Sequence, residues 1–315
     1  MLAPYVPSDA LPTVPAVSCA VCERHLAKEH ELPEFFRVRT RAGQPAGVAE
    51  LAHAYNYVHE DYDDFWTVEA SAPVRELIQR LAWHGTERVF EAGCGSGFAT
   101  VLLAEKLSQG GAVIAVDISE GMQLVARRRV EARPLRNVEF ICGDALAALR
   151  SIRDLDVIFS SWVLGYVPVG QFLAAANQAL RPAGQLAFIV HKENSPRREL
   201  GLFARLVVRD PLLLLKKVAF DFPRDAAHVG EELRTAGLEL VEVWEGSCTF
   251  RYPTAEQVLD HLLKSGAGTV FYDAVDRSRR DELTREFLNL LREQRDSEDG
   301  FVVSHDYVAC MARKG

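Results

Sequence analysis

Long uninterrupted apolar runs are missing from this 315-residue chain, and so is any surplus of positive charge. Its 36 Lys and Arg stand against 44 Asp and Glu, giving a formal charge of -8. Phosphate binding is driven by Lys and Arg, so the balance opposes a general affinity for nucleic acid. The apolar stretch from Leu200 to Phe220 is interrupted by Arg205, Arg209, Asp210, Lys216 and Lys217 and divided by Pro211, so no membrane span is expected. Cysteine is sparse as well: six in all, only Cys19 and Cys22 close in sequence, which is no disulfide framework. The proline-rich Met1 to Ser18 lacks a basic start followed by an apolar run, so it is not read as a secretion signal. A reducing, cytoplasmic setting is the expectation. There is no internal repeat, and low complexity is confined to those first eighteen residues.

About half of the residues, 48%, are apolar, enough for a large buried core. Glu50 to Trp66 predicts a helix with a face built from Leu51, Tyr55, Val58, Tyr62 and Phe65, and Pro73 to Trp83 predicts another. Strand-like runs follow at Arg88–Ala92, Ala112–Asp117, Val138–Cys142, Leu155–Ser160 and Gln185–His191, each separated from the next by a helical stretch. That rhythm implies a mostly parallel sheet with helices on both faces. Pro182 and Gly184 are expected to end a helix and turn the chain into the fifth strand. Strands near Leu238–Trp244 and Phe301–Met311 would bring the sheet to seven, with helical insertions at 193–236 and 254–295.

The chemistry concentrates at the strand ends. The run Val89-Phe90-Glu91-Ala92-Gly93-Cys94-Gly95-Ser96-Gly97 leads a strand directly into a glycine-rich turn before a helix, where glycine permits positive φ and close approach of backbone to a ligand. Twenty residues on, Asp117 ends the second strand and offers a carboxylate to a ribose. The third strand ends in Cys142-Gly143-Asp144-Ala145, with Asp144 a candidate acceptor for an adenine amino group. The fourth ends in Ser160-Ser161-Trp162. Alternating glycines in GCGSG differ from the G-x-G-x-x-G spacing of nicotinamide-binding turns.

As a set, Val89 to His191 resembles the class I S-adenosylmethionine-dependent methyltransferases of the E-x-G-x-G-x-G and D-x-S-x-x-M type. The resemblance implies an α/β fold, a Rossmann-like seven-stranded mostly parallel sheet with helices on both faces. To this the chain would add an N-terminal extension and helical lid insertions. It implies that Glu91, Gly93, Cys94, Gly95 and Gly97 surround the methionine part of S-adenosyl-L-methionine and that Asp117 holds the ribose. Ile118 and Met122 would cover one adenine face, Gly143, Asp144 and Ala145 the adenine edge, while Ser161 and Trp162 sit beside the sulfonium. The methyl group arrives already activated, so the protein has mainly to align an acceptor and exclude water. Candidate catalytic side chains are His191, Tyr166 and His59, with Tyr62 nearby.

The acceptor is read from thinner signals. Lys192 to Arg224 carries eight basic and four acidic residues beside apolar ones, which suits an anionic partner with a hydrophobic tail and equally a solvated helix face. Thr254 and Gln257 form a prospective capping box. The following HLLKSGAG resembles the malonyl-carrier-protein O-methyltransferases, which implies a small-molecule or carrier-bound acceptor and favours O-methylation. A non-catalytic sensor or assembly protein would need the same cofactor pocket. An RNA methyltransferase is opposed by the charge and by SSWVLGYVP standing where an N-P-P-Y-like motif would be. Cys19, Cys22, His25 and His30 form a candidate zinc set, one CxxC half-site with two histidines close behind. The expected organisation is an extension at 1–49, a cofactor core at 50–192, an acceptor lid at 193–236 and a C-terminal part at 237–315 that completes the sheet.

Overall fold

The computed structural model describes residues 48–315 apart from 109, 216–219, 266 and 297–299. The candidate metal set Cys19, Cys22, His25 and His30 lies outside the described residues.

Seven strands form one sheet in the order β3-β2-β1-β4-β5-β7-β6. They are β1 (Arg88–Ala92), β2 (Ala112–Asp117), β3 (Val138–Cys142), β4 (Leu155–Ser161), β5 (Leu180–His191), β6 (Leu238–Tyr252) and β7 (Phe301–Lys314). The first five are parallel, and β7 runs antiparallel between β5 and β6. Strand order reverses between β1 and β4, and doubly wound sheets bind ligands beyond the carboxyl ends of the strands at that crevice. The central strands are almost wholly apolar because helices cover both faces, and buried clusters lie on each side.

The chain enters through α1 (Val48–Val58), a short π-helical turn at Asp63–Thr67 and α2 (Val68–Arg80). The π turn explains why the face expected from periodicity drifts: it inserts an extra residue, so Trp66 rather than Phe65 is buried. The crossovers are α3 (Phe98–Glu105), α4 (Glu120–Glu131), α5 (Ala145–Ser151) and α6 (Val169–Ala179). Leu180 already pairs with Leu155, and the register then shifts before Val157 meets Gln185. The turn into β5 uses Ala183 at φ 62° within an irregular strand start, where the sequence pointed to Pro182 and Gly184.

Between β5 and β6 lie α7 (Arg197–Arg209) and α8 (Ala226–Thr235), the latter packed on α6 and β6. Between β6 and β7 come α9 (Ala255–Lys264), α10 (Ala267–Asp273) and α11 (Arg280–Arg292). Thr254 and Gln257 make the full capping box at the start of α9. The two helical insertions lean on one another through Asp276 N donating to Leu213 O and Leu215 N to Ala274 O. Ion pairs join Arg209 to Glu286 and Asp210 to Arg279. Three basic residues of this insertion are thus engaged by acidic neighbours: Arg209, Lys192 by Glu245, and Arg198 by Glu199 and Asp296.

β6 is longer than the sequence suggested. Because His191, the last residue of β5, pairs with Tyr307, residues 301–306 of β7 and their partners Ser247–Tyr252 project past the ends of the parallel strands. This two-stranded ribbon carries Phe250, Phe301, Val303 and His305 over the ligand-binding edge, beneath α9. Among the described residues no helix is long and apolar enough to cross a membrane.

Candidate active site

The glycine turn after β1 is drawn to the end of β2. Gly93 N and Cys94 N both donate to Val116 O at 2.8 and 3.0 Å, and Gly95 N donates to Asp117 Oδ2 at 2.8 Å. Asp117 Oδ1 accepts from Ser119 N at 2.9 Å. Burial pushes the Asp117 carboxyl up from its ordinary value, and these backbone N–H groups pull it back down. Gly97 stands at φ 81°, and an added Cβ would lie 2.8 Å from both Cα and Cβ of Ala126, so the turn packs α3 against α4 only as glycine. Gly95 and Gly143 are different: a Cβ on either would meet nothing within 4 Å. Open space at these two strand ends, with Asp117 between them, fits a nucleoside lying across β1, β2 and β3. Gly93, Gly95 and Asp117 would hold its methionine and ribose parts, and Gly143 and Asp144 would edge the base.

Around that opening, Glu91 is buried and accepts from Thr100 Oγ1 at 2.6 Å; burial pushes its carboxyl up to about 8. Asp144 caps α5, its Oδ1 accepting from Ala147 N at 2.6 Å. Ala145 and Met122 are buried, while Ile118, like Tyr55, Tyr166 and Phe220, packs against Leu51, Ala54 and Val270. A narrow cleft lies over the glycine turn, walled by Gly93, Cys94, Gly95, Ser161, Trp162 and Trp66 among others. Trp162 has φ 66°, the left-handed region that a bulky aromatic rarely adopts, and its backbone N–H donates to Ile189 O at 2.8 Å. Such strain persists only where the surroundings enforce it, and here it places the indole at the switch point.

The N-terminal strap closes this cleft. Asn56 Oδ1 accepts from Ser119 Oγ at 2.7 Å and from Gly121 N at 2.9 Å, docking α1 on the start of α4. Asp63 accepts from Ser96 Oγ at 2.6 Å and pairs with Arg129. Tyr55, Tyr62 and Tyr166 gather beside Asp117. Burial raises all three phenols, Tyr166 to about 12, and the Tyr55 hydroxyl hydrogen-bonds Tyr166.

Of the three catalytic candidates, two share a neighbour. His191 packs on Trp162 (ring centroids 5.0 Å apart), Trp66 (5.2 Å) and Phe222 (5.6 Å). Tyr166 packs on the same Phe222 at 5.2 Å. His59 sits against Gly121 at the start of α4, its Nδ1 2.6 Å from Asn56 O, on the adenine side of the site. Sequence reasoning missed His261 and His305, which join His191 and Trp66 in one buried cluster. His305 carried a signal, since it shares the inward face of β7 with Val303 and Tyr307. His261 lies on the buried face of α9 with Val258. Among the described residues no group of three or more His, Cys, Asp or Glu is arranged to hold a metal ion. In this cluster the two imidazoles meet directly, Nε2 to Nε2 at 2.9 Å.

Residues 89–184 match the family model described as a methyltransferase domain. The malonyl-[acyl-carrier protein] O-methyltransferase of Priestia megaterium is 24% identical over 270 residues, covering 81% of this chain and 93% of the relative. Aklanonic acid methyltransferase of a Streptomyces species is 35% identical over 142 residues, 44% of this chain and 64% of the relative. For the protein-L-isoaspartate O-methyltransferase of Thermotoga maritima the figures are 27% identity, 52% of this chain and 51% of the relative. Thus the chain spans about half the length of some relatives and nearly all of another. A solved putative methyltransferase of Bacillus halodurans shares the fold at TM-score 0.51 and 20% identity, covering 76% of this chain and 98% of that one. Residues 89–184 thus carry a methyltransferase domain, and the fold and the relatives support a class I S-adenosylmethionine-dependent methyltransferase.

Proposed function

We propose that the chain transfers the methyl group of S-adenosylmethionine to an oxygen of a small, apolar or carboxylate-bearing acceptor, free or carried on a protein. The observation that carries this reading is the cleft at the strand-order switch. It is open over Gly95 and continues past Ser161 and Trp162 toward an aromatic wall of Trp66, Tyr62 and Phe98. When bound, the donor supplies an electrophilic methyl group, and the protein's part is positioning and exclusion of water. The strap of α1 and the π turn, with Asn56 and Asp63 as its polar ties, is built for that exclusion. Tyr166, Phe220, Phe222 and His191 would line the acceptor side, and the relative named as a malonyl-[acyl-carrier protein] O-methyltransferase supports an oxygen acceptor.

Formation of S-adenosylhomocysteine from S-adenosylmethionine with a panel of hydroxy and carboxylic acids tests the proposal. Donor binding without turnover on any of them would favour a non-catalytic sensor instead. His191→Ala is expected to lower turnover strongly while sparing donor binding, and unchanged turnover would remove His191 from the site. Zinc at Cys19, Cys22, His25 and His30 is a separate proposal, tested by metal analysis of the full chain purified without chelator.

A further inference from the structure

Behind Trp66 and Trp162 lies a polar cluster that the methyl-transfer reading does not use. Trp66 is 3% exposed, Trp162 6%, His191 8%, His305 5% and His261 0%, so all five are more than nine-tenths buried. Four of their polar atoms have no hydrogen-bond partner: Trp66 Nε1, Trp162 Nε1, His191 Nδ1 and His305 Nδ1. Buried polar groups are almost always paired, so four orphans within adjoining rings mark a place where a ligand's polar atom belongs. The rings do adjoin: Trp66 is 4.9 Å from His305 and 5.2 Å from both His191 and Trp162.

The hydrogen bonds of the pair fix which nitrogens carry protons. His261 Nδ1 lies 3.0 Å from Phe65 O and 2.9 Å from the Tyr252 hydroxyl. A carbonyl oxygen only accepts, so His261 Nδ1 is the protonated nitrogen and its Nε2 holds a lone pair. His305 Nε2, 2.9 Å away, must then donate to it. That leaves His305 Nδ1 as a bare lone pair, buried and unpartnered. His191 has no comparable anchor at Nδ1. The groups facing His305 are His191 from β5, His261 from α9 and, through His261, Tyr252 from β6. Burial and the two neighbouring imidazoles hold His305 well below its ordinary value, so it rests neutral.

We propose that His305, kept in this tautomer by His261, accepts the proton of a hydroxyl-bearing methyl acceptor, so that the site takes a neutral phenol or enol rather than an ionised carboxylate. The inference rests on the methyl-transfer reading and narrows its acceptor class. In the step, the acceptor oxygen forms the new O–CH3 bond while the methyl–sulfur bond breaks and its electron pair stays on sulfur. The O–H proton goes to His305 Nδ1, and the O–H electron pair remains on oxygen. The positive charge lost from sulfur reappears on the imidazole, so the buried site holds one positive charge before and after. The two unpartnered indole N–H groups beside it, of Trp66 and Trp162, are donors only and suit an oxygen that is giving up its proton. His261 is a positioning residue: it touches His305, not the acceptor.

The test uses the full chain labelled with 15N-histidine and saturated with S-adenosylhomocysteine, with 4-butylphenol and 4-butylbenzoate as probes. Long-range 15N–1H spectra, assigned with single His variants, are expected to show His305 protonated at Nε2 and bare at Nδ1. Its Nδ1 resonance should move with the phenol and not with the benzoate. His261→Ala should mix the two tautomers of His305 in the same spectrum, a change that a merely structural role would not produce. With S-adenosylmethionine present, His305→Asn should lower phenol turnover by about 100-fold or more at unchanged S-adenosylhomocysteine affinity. A His305 protonated at Nδ1, no response to the phenol, or equal response to the benzoate overturns the proposal. Failure of S-adenosylhomocysteine to bind would instead overturn the methyltransferase reading beneath it.

Discussion

Asp63, at the start of the π turn, accepts a hydrogen bond from Ser96 of the glycine turn at 2.6 Å, across 33 positions of chain. The same carboxylate accepts from Thr67 Oγ1 at 2.6 Å and pairs with Arg129 of α4. One side chain thus fastens the N-terminal strap to the donor-binding turn and to the helix behind it. Replacing it leaves Ser96 and Arg129 without their partner in a half-buried setting, at a cost of about 1–3 kcal/mol. Asp63→Ala is therefore expected to lower stability by that amount and to weaken S-adenosylhomocysteine binding several-fold, measured by calorimetry. Unchanged affinity would mean that the strap does not close on the donor.

The glycine turn makes a sharper comparison. Gly95 and Gly97 both sit at positive φ, 51° and 81°, so alanine at either pays about 1–2 kcal/mol of left-handed strain. Their surroundings differ. The Cβ of Gly97→Ala would press on the Ala126 backbone, whereas that of Gly95→Ala would enter open space. Gly97→Ala should therefore lose roughly 2–5 kcal/mol of stability through strain and overpacking. Gly95→Ala should lose only the strain, about 1–2 kcal/mol, and yet lose donor binding by tenfold or more. Equal donor affinity in Gly95→Ala and wild type would remove that space from the donor site.

These side chains show what could be read before the fold was known. The five parallel strands and the turns that end them were legible because each is a local pattern: a short apolar run, then Gly or Asp at a fixed place. Asp117 and Gly97 announce themselves in that way. Trp66 did not, since the π turn breaks the 3.6-residue rhythm that assigned Phe65 to the inside. Nor did the joining of His191, His261 and His305, which come from β5, α9 and β7. Their meeting depends on how far the β6–β7 ribbon projects, and the sequence pattern carried that strand only to Trp244 where it continues to Tyr252. The ion pairs of 192–224 were hidden for a similar reason, as Glu286 and Glu245, which pair with Arg209 and Lys192, lie far along the chain.

The buried ionisable groups predict a peaked dependence of stability on pH. For His191 and His261, burial lowers the folded value from 6.5 to about 4, and His305 is lowered too. Below 6.5 the unfolded chain binds protons that the folded chain refuses, so the contribution of these three is present above 6.5 and lost as pH falls toward 4. Each can contribute up to about 1.4 kcal/mol per pH unit within that window. Glu91 has the opposite sign. Its folded value is raised from 4.5 to about 8, so its contribution is present below 4.5 and lost as pH rises through 8. Between 4.5 and 6.5 the three histidines outweigh Glu91 and stability rises with pH; between 6.5 and 8 Glu91, which has the same sign as the raised Asp117 and Glu199, makes stability fall. Melting temperature, followed by circular dichroism from pH 4.5 to 8.5, should therefore pass through a maximum near pH 6.5. Glu91→Gln keeps the shape of the side chain and removes its titration, so it should flatten the alkaline limb and leave the acid limb in place. A melting temperature that rises steadily to pH 8 in the wild type would show that Glu91 is ionised in the folded protein.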